Sequence, residues 1–170
     1  MICLYHNADL DGKCSAAIVK HRYPACHLVG MDYGPIDVEA LAEACNGQGI
    51  VFMVDFSLQP IQNMARFQSI LENMDIQLFW IDHHISAIKG CGETGLYIPG
   101  LQVEGRAACE LTWAFMFPDE PMPRPVFLLG RYDVWDITVD ENILPFQYGM
   151  RAHNNEPDTD IWKDLLTSSP

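Results

Sequence analysis

Short apolar runs that end on acids or histidines constrain this chain more than any other feature. ICLYH leads into NADLDG, GIVFMVD ends on Asp55, and IQLFWID ends on Asp82 and runs into His83 and His84. CHLVGM is a fourth run of the same kind. Strands apolar along both faces need cover on both faces. Between them, KCSAAIVKHRY, VEALAEAC and IQNMARFQSILENM carry apolar residues at helical spacing. Strands alternating with helices predict an α/β fold: a parallel β-sheet flanked by helices, a Rossmann-like domain of three layers.

The rest of the chain is less regular. GETGLYIPG is expected to hold a short strand, and EGRAACELTWAFMF a helix stopped by Pro118. PDEPMPRP is expected to be an irregular loop, since Pro121, Pro123 and Pro125 oppose regular structure. VFLLGRYDVWD and ENILPFQYGMRAH read as helices, the second despite Pro145. DIWKDLLTSSP reads as a terminal amphipathic helix with a frayed end. Trp162 and Leu165 there fit either a packed helix or an exposed surface for a partner. The 170 residues, without repeats, fit one domain over 1–170.

The chain carries a net charge of −13 with only 10 Lys and Arg. Long duplex nucleic acid is excluded as a partner, because such binding rests on many cationic contacts to phosphate. A small phosphorylated substrate or a short oligonucleotide fits better, and oligomers are not excluded. No run approaches the roughly 20 apolar residues of a membrane span, and the N-terminus lacks the form of a signal peptide. The expected location is cytoplasmic. Cys3, Cys14, Cys26, Cys45, Cys91 and Cys109 form no C-x-x-C pair, so reduced, buried thiols are expected.

In an open parallel sheet, ligands bind at the carboxyl ends of the strands. His6, Asp9, Asp11, Asp55, Asp82, His83 and His84 would therefore converge on one edge. Carboxylates with imidazoles suit manganese, magnesium, iron or zinc. Asp9 and Asp11, two apart in a loop, can face different ions, and Asp55 can bridge two. One Asp after a strand is ordinarily a turn residue or a helix cap, and Asp-Gly alone is a common turn. The joint occurrence is not explained that way. Two ions about 3.5–4 Å apart can activate a water and clamp a phosphoryl group.

With HNADLDG (6–12), VDFS (54–57), IDHH (81–84) and GRAACELTW (105–113) in order, and RYDVWD (131–136) after them, the chain resembles the DHH family of phosphoesterases. The resemblance implies two divalent ions, most often Mn2+, with Mg2+ possible. It implies that His6, Asp9 and Asp55 hold one ion, and that Asp11, Asp55, His83 and Asp133 hold the other. Asp136 is the alternative to Asp133. Asp82 would orient the histidines, and His84 would face the substrate phosphate as donor or acid. Larger members carry a second, substrate-gripping domain, and no motif for it is found in the 34 residues after Asp136. Arg106, Arg151 and His153 are candidate replacements, Arg106 beside amides at a helix start. The expected activity is hydrolysis of a small phosphoester such as a short oligonucleotide or a cyclic or linear dinucleotide. The alternatives are a pyrophosphatase-like reaction on a phosphoanhydride, or a nucleotide- or metal-binding module or subunit without turnover.

Overall fold

The structure, a computed structural model, describes residues 1–167. The elements run β1 (Ile2–His6), α1 (Leu10–Arg22), β2 (His27–Met31), α2 (Val38–Ala44), β3 (Ile50–Val54), α3 (Gln62–Asn73) and β4 (Gln77–Asp82). They continue with α4 (Ile85–Thr94), β5 (Gly100–Gln102), α5 (Ala108–Met116), α6 (Arg124–Asp133), α7 (Ile143–Arg151) and α8 (Asp160–Leu166). The strands form one parallel sheet in the order β2-β1-β3-β4-β5. The fold is the expected one: a five-stranded parallel sheet with helices on both faces.

Alternation along the strands sorts the core into two halves. Cys3, Tyr5, Phe52, Val54 and Ile81 pack with residues of α1, α5, α6, α7 and α8. Ile2, Leu4, Val51, Met53, Leu78 and Trp80 point the other way, onto residues of α2, α3 and α4. The chain leaves β1 for β2 on one side, then crosses to β3 on the other. The β1/β3 junction is therefore the point where the winding reverses. The carboxyl ends of these two strands form the crevice in which such sheets hold ligands.

Several expectations need correction. GETGLYIPG is not a strand: Gly92–Thr94 end α4, and the strand begins at Gly100. The proline loop is shorter than expected, because Pro125 sits in the first turn of α6, where a missing N–H costs nothing. Pro145 likewise falls in the first turn of α7. Trp162 is buried, and Leu165 packs partly against the core, so the packed-helix reading of α8 holds. The frayed end at 168–170 lies outside the described residues. All six cysteines are free and buried. No helix among the described residues is long and apolar enough to cross a membrane.

Candidate metal centre

β1 delivers His6 to the sheet edge, and three residues later Asp9 caps α1 by accepting the Gly12 N–H at 3.0 Å. The start of α1 lies directly on the end of β1. A Cβ on Gly12 would stand 2.0 Å from the His6 carbonyl oxygen. Gly12→Ala should therefore displace both Asp9 and Asp11. The expected result is loss of cation binding by calorimetry together with a lower melting temperature; a variant that bound cations like the wild type would refute this placement.

Asp11, in the first turn of α1, reaches across to α5. Its carboxylate accepts the Ala108 N–H at 2.8 Å and the Cys109 N–H at 2.7 Å. Ala107, the residue before α5, has no side-chain acceptor of its own, so Asp11 satisfies that helix start from outside. This is the helix start whose amides, with Arg106, are expected to hold phosphate. Two of those amides are already taken by Asp11, and Arg106 is a half-exposed guanidinium 3.9 Å from Glu110.

Asp55 follows β3 directly, with its N–H bonded to Ile81 O at 2.9 Å. Its φ is +52°, a left-handed conformation that L-residues rarely adopt. Asp55 is buried, and its oxygens are met only by imidazole nitrogens, those of His6, His83 and His84. Oδ2 lies 3.6 Å from His6 Nδ1, which is itself 3.2 Å from Asp9. Oδ1 lies 3.4 Å from His83 Nε2. His83 Nε2 is also 3.6 Å from Asp11 and 3.4 Å from Asp133. Ligand atoms thus gather as His6–Asp9–Asp55 and as Asp11–His83–Asp133, with Asp55 facing both groups.

These separations suit a cation. Tetrahedral or octahedral ligands on bonds of about 2.1 Å stand about 3.0–3.4 Å apart. A buried carboxylate costs free energy unless something positive meets it, imidazolium in the metal-free chain or a cation in its place. The oxygen–nitrogen donor set is that of Mn2+, Mg2+ or Zn2+. The residues present therefore fit a pair of divalent ions. Asp133, rather than Asp136, stands in the cluster. Asp136 pairs instead with Arg131 at 3.4 Å.

Asp82 is fully buried. Its Oδ1 accepts the His83 N–H at 2.7 Å and the His84 N–H at 3.2 Å, and lies 2.7 Å from His84 Nδ1. Its Oδ2 takes the Trp80 indole N–H at 3.2 Å. Asp82 therefore orients the ring of His84 and the backbone of His83, but not the His83 ring. Arg151 lies over the ring of Tyr132, the neighbour of Asp133. His153 is exposed beyond the end of α7 and is not among the converging groups.

Residues that sequence reasoning missed also frame the centre. Arg131 pairs with the buried Glu110 and ties α6, which carries Asp133, to α5. Gly130 leaves room for this, since a Cβ there would stand 2.5 Å from Glu110 Cγ. Tyr33 meets His6 edge-on at 5.2 Å, packs on Phe56 at 4.9 Å, and lies 6.1 Å from His84. A tyrosine in a loop carries no signal of such a contact.

The carboxylates hold the imidazoles protonated. Asp55, then Asp9, raise His6 to about 10. Burial works to lower His83, but Asp55, Asp11 and Asp133 outweigh it and raise it to about 9. Burial raises Asp133 to about 6. Each raised group binds protons more tightly in the folded chain, so stability falls as pH rises through its window, from about 3.8 to 6 for Asp133 and from 6.5 upward for the two histidines. The metal-free protein should lose stability between about pH 6.5 and 10. Cations must displace the His6 and His83 protons, so affinity should increase with pH over the same range. Calorimetry in buffers of different ionisation enthalpy should register proton release; affinity flat from pH 6.5 to 9 would refute the assignment.

No family model and no curated protein matches the chain. Among solved structures it is similar to an uncharacterized protein from Helicobacter pylori G27, with TM-score 0.64 and 19 % identity over 81 % of this chain and 43 % of that one. It is also similar to RecJ in complex with Mn2+ from Thermus thermophilus, with TM-score 0.48 and 19 % identity over 76 % of this chain and 20 % of that one. The chain thus spans less than half the length of either. The first likeness supports the fold alone; the second is too loose to bear on fold or function. Fold and site together define an α/β protein with a candidate Asp–His metal centre at the crevice of its sheet.

Proposed function

We propose that this chain is a phosphoester hydrolase dependent on two divalent cations, acting on a small phosphorylated substrate such as a short oligonucleotide or a cyclic or linear dinucleotide. The observation that carries this reading is Asp55, a buried carboxylate met only by imidazoles, with one oxygen toward His6 and the other toward His83. The ordered motifs that resemble the DHH family support it, and on that resemblance Mn2+ is the first choice and Mg2+ the second.

His6, Asp9 and Asp55 would hold one cation; Asp11, Asp55, His83 and Asp133 would hold the other. Bound there, the pair would neutralise phosphoryl charge and acidify a water. Asp82 fixes His84 through Nδ1, which leaves Nε2 for the substrate. Asp82 also raises the pKa of His84, which favours its service as acid to the leaving oxygen. Arg106, Arg151 and His153 stay candidates for contact with the remaining substrate.

The test offers the Mn2+-loaded protein a dinucleotide, a cyclic dinucleotide and pyrophosphate. The expected result is nucleotide monophosphate from a dinucleotide, abolished by chelation. Turnover of pyrophosphate alone would replace the reading with anhydride hydrolysis. Tight nucleotide binding without turnover under any divalent metal would replace it with a binding module.

A further inference from the structure

We infer that Trp135, with Tyr132 and Arg151, forms a stacking platform for a nucleobase beside the candidate metal centre. This rests on the phosphoester reading above and narrows its substrate class to nucleotides.

The end of α6 is where the inference starts. The Trp135 N–H bonds to Tyr132 O at 3.0 Å, and the Asp136 N–H to Arg131 O at 2.8 Å. These are the two bonds of a Schellman motif, and Trp135 holds the left-handed position within it, at φ +59°. Glycine normally stands there because it has no Cβ to strain. The same chain ends α4 in that way, on Gly95 at φ +68°. At the end of α6 the strained position carries the largest of side chains instead, and that side chain is 68 % exposed. Burial does not explain it, nor does backbone preference. Strain of this kind persists where the surroundings enforce it, and it collects at ligand sites. Beside it Arg131 pairs on one side with Glu110 and on the other with Asp136.

Position and charge identify the ligand. Trp135 is two residues beyond Asp133, so their Cα atoms are at most about 7.6 Å apart. A base stacked on the indole would belong to a nucleotide whose phosphate is at the centre. Tyr132 meets Trp135 in a T-shaped contact at 5.7 Å, and the Arg151 guanidinium lies 5.5 Å from the centre of the Tyr132 ring. That places positive charge beside the platform in a chain of net charge −13. One indole flanked by charged groups is too little apolar area for a stable protein interface, but it matches one base.

Trp80, Trp113 and Trp162 are buried, so Trp135 is the exposed one of four tryptophans. Emission can therefore report stacking directly. The Mg2+-loaded chain is titrated with a hydrolysis-resistant phosphorothioate diadenosine dinucleotide, and with its abasic counterpart. The dinucleotide should quench emission, and Trp135→Ala should bind it about 5- to 150-fold more weakly while binding the abasic counterpart unchanged. Trp135→Gly should lose the same affinity and melt no lower than the wild type. Equal dinucleotide affinity in wild type and variant would overturn the platform. So would equal weakening of both ligands, a lower melting temperature in Trp135→Gly, or self-association that depends on Trp135. Turnover of an ordinary dinucleotide with an unchanged KM in Trp135→Ala would sink the platform and leave the phosphoester reading standing. Weaker calorimetric binding of the dinucleotide by Trp135→Ala, with the abasic counterpart bound unchanged and no turnover by the wild type, would do the reverse.

Discussion

Asp55→Ala is expected to abolish the rise in melting temperature that divalent cations cause, and to lower phosphoester hydrolysis by more than 100-fold. Removing an outer partner of a metal ligand typically costs 10–100-fold. Asp55 faces both ligand groups, so its loss should exceed that range. At a cation concentration about 100 times Kd, binding stabilises a fold by about 2.7 kcal/mol. For a chain of this size that is a rise of roughly 5–11 °C. The wild type should show it, and the Ala variant should not. Asp55→Gly separates charge from strain. Glycine accepts the left-handed φ of +52° without penalty, so this variant should be no less stable than Asp55→Ala without metal, yet equally inert. Differential scanning with and without Mn2+ and one hydrolysis assay suffice; an Ala variant that kept its cation-induced rise would remove Asp55 from the centre.

The sheet was legible because burial on both faces leaves a mark that few other structures leave. Val51–Val54 and Leu78–Ile81 contain no polar residue, and both segments are buried strands or nearly so. The helix α4 was not legible. IKGCGET carries two glycines and little apolar repeat, and its helical state is set by packing of Ala87 and Cys91 on the sheet. β5 is an edge strand of three residues and leaves almost no pattern. In the centre, His6, Asp55, His83 and their neighbours were legible because strand ends in an open sheet must converge. What holds them was not. Asp11 caps a helix 97 residues away, and Glu110 meets Arg131 across two helices. Neither pairing has a local signature. Tyr33 and Trp135 matter through exposure and ring contact, which appear only once the chain has folded.

Asp82 yields the second large effect, because it separates support from ligation. Asp82→Ala removes a fully buried acceptor and leaves the half-buried His83 and His84 N–H groups and the His84 ring without it. Each orphaned donor costs about 1–3 kcal/mol. A total loss on the order of 3–5 kcal/mol is expected, and it should lower the melting temperature by roughly 6–20 °C. Asp82→Asn is the sharper tool. Its amide oxygen can keep all three donors now on Oδ1, while its NH2 meets only the Trp80 indole N–H, which also bonds to Phe56 O at 3.0 Å. Stability should fall by only about 1–3 kcal/mol, and cation binding should persist, in contrast to Asp55→Ala. Hydrolysis should still drop about 10–100-fold. The carboxylate that raises the His84 pKa is gone, so as a general acid the ring would lose its proton at lower pH. The alkaline limb of the rate profile should move to lower pH accordingly. A profile unmoved by Asp82→Asn would show that His84 does not deliver the proton, and would leave Asp82 a purely structural anchor for the β4–α4 turn.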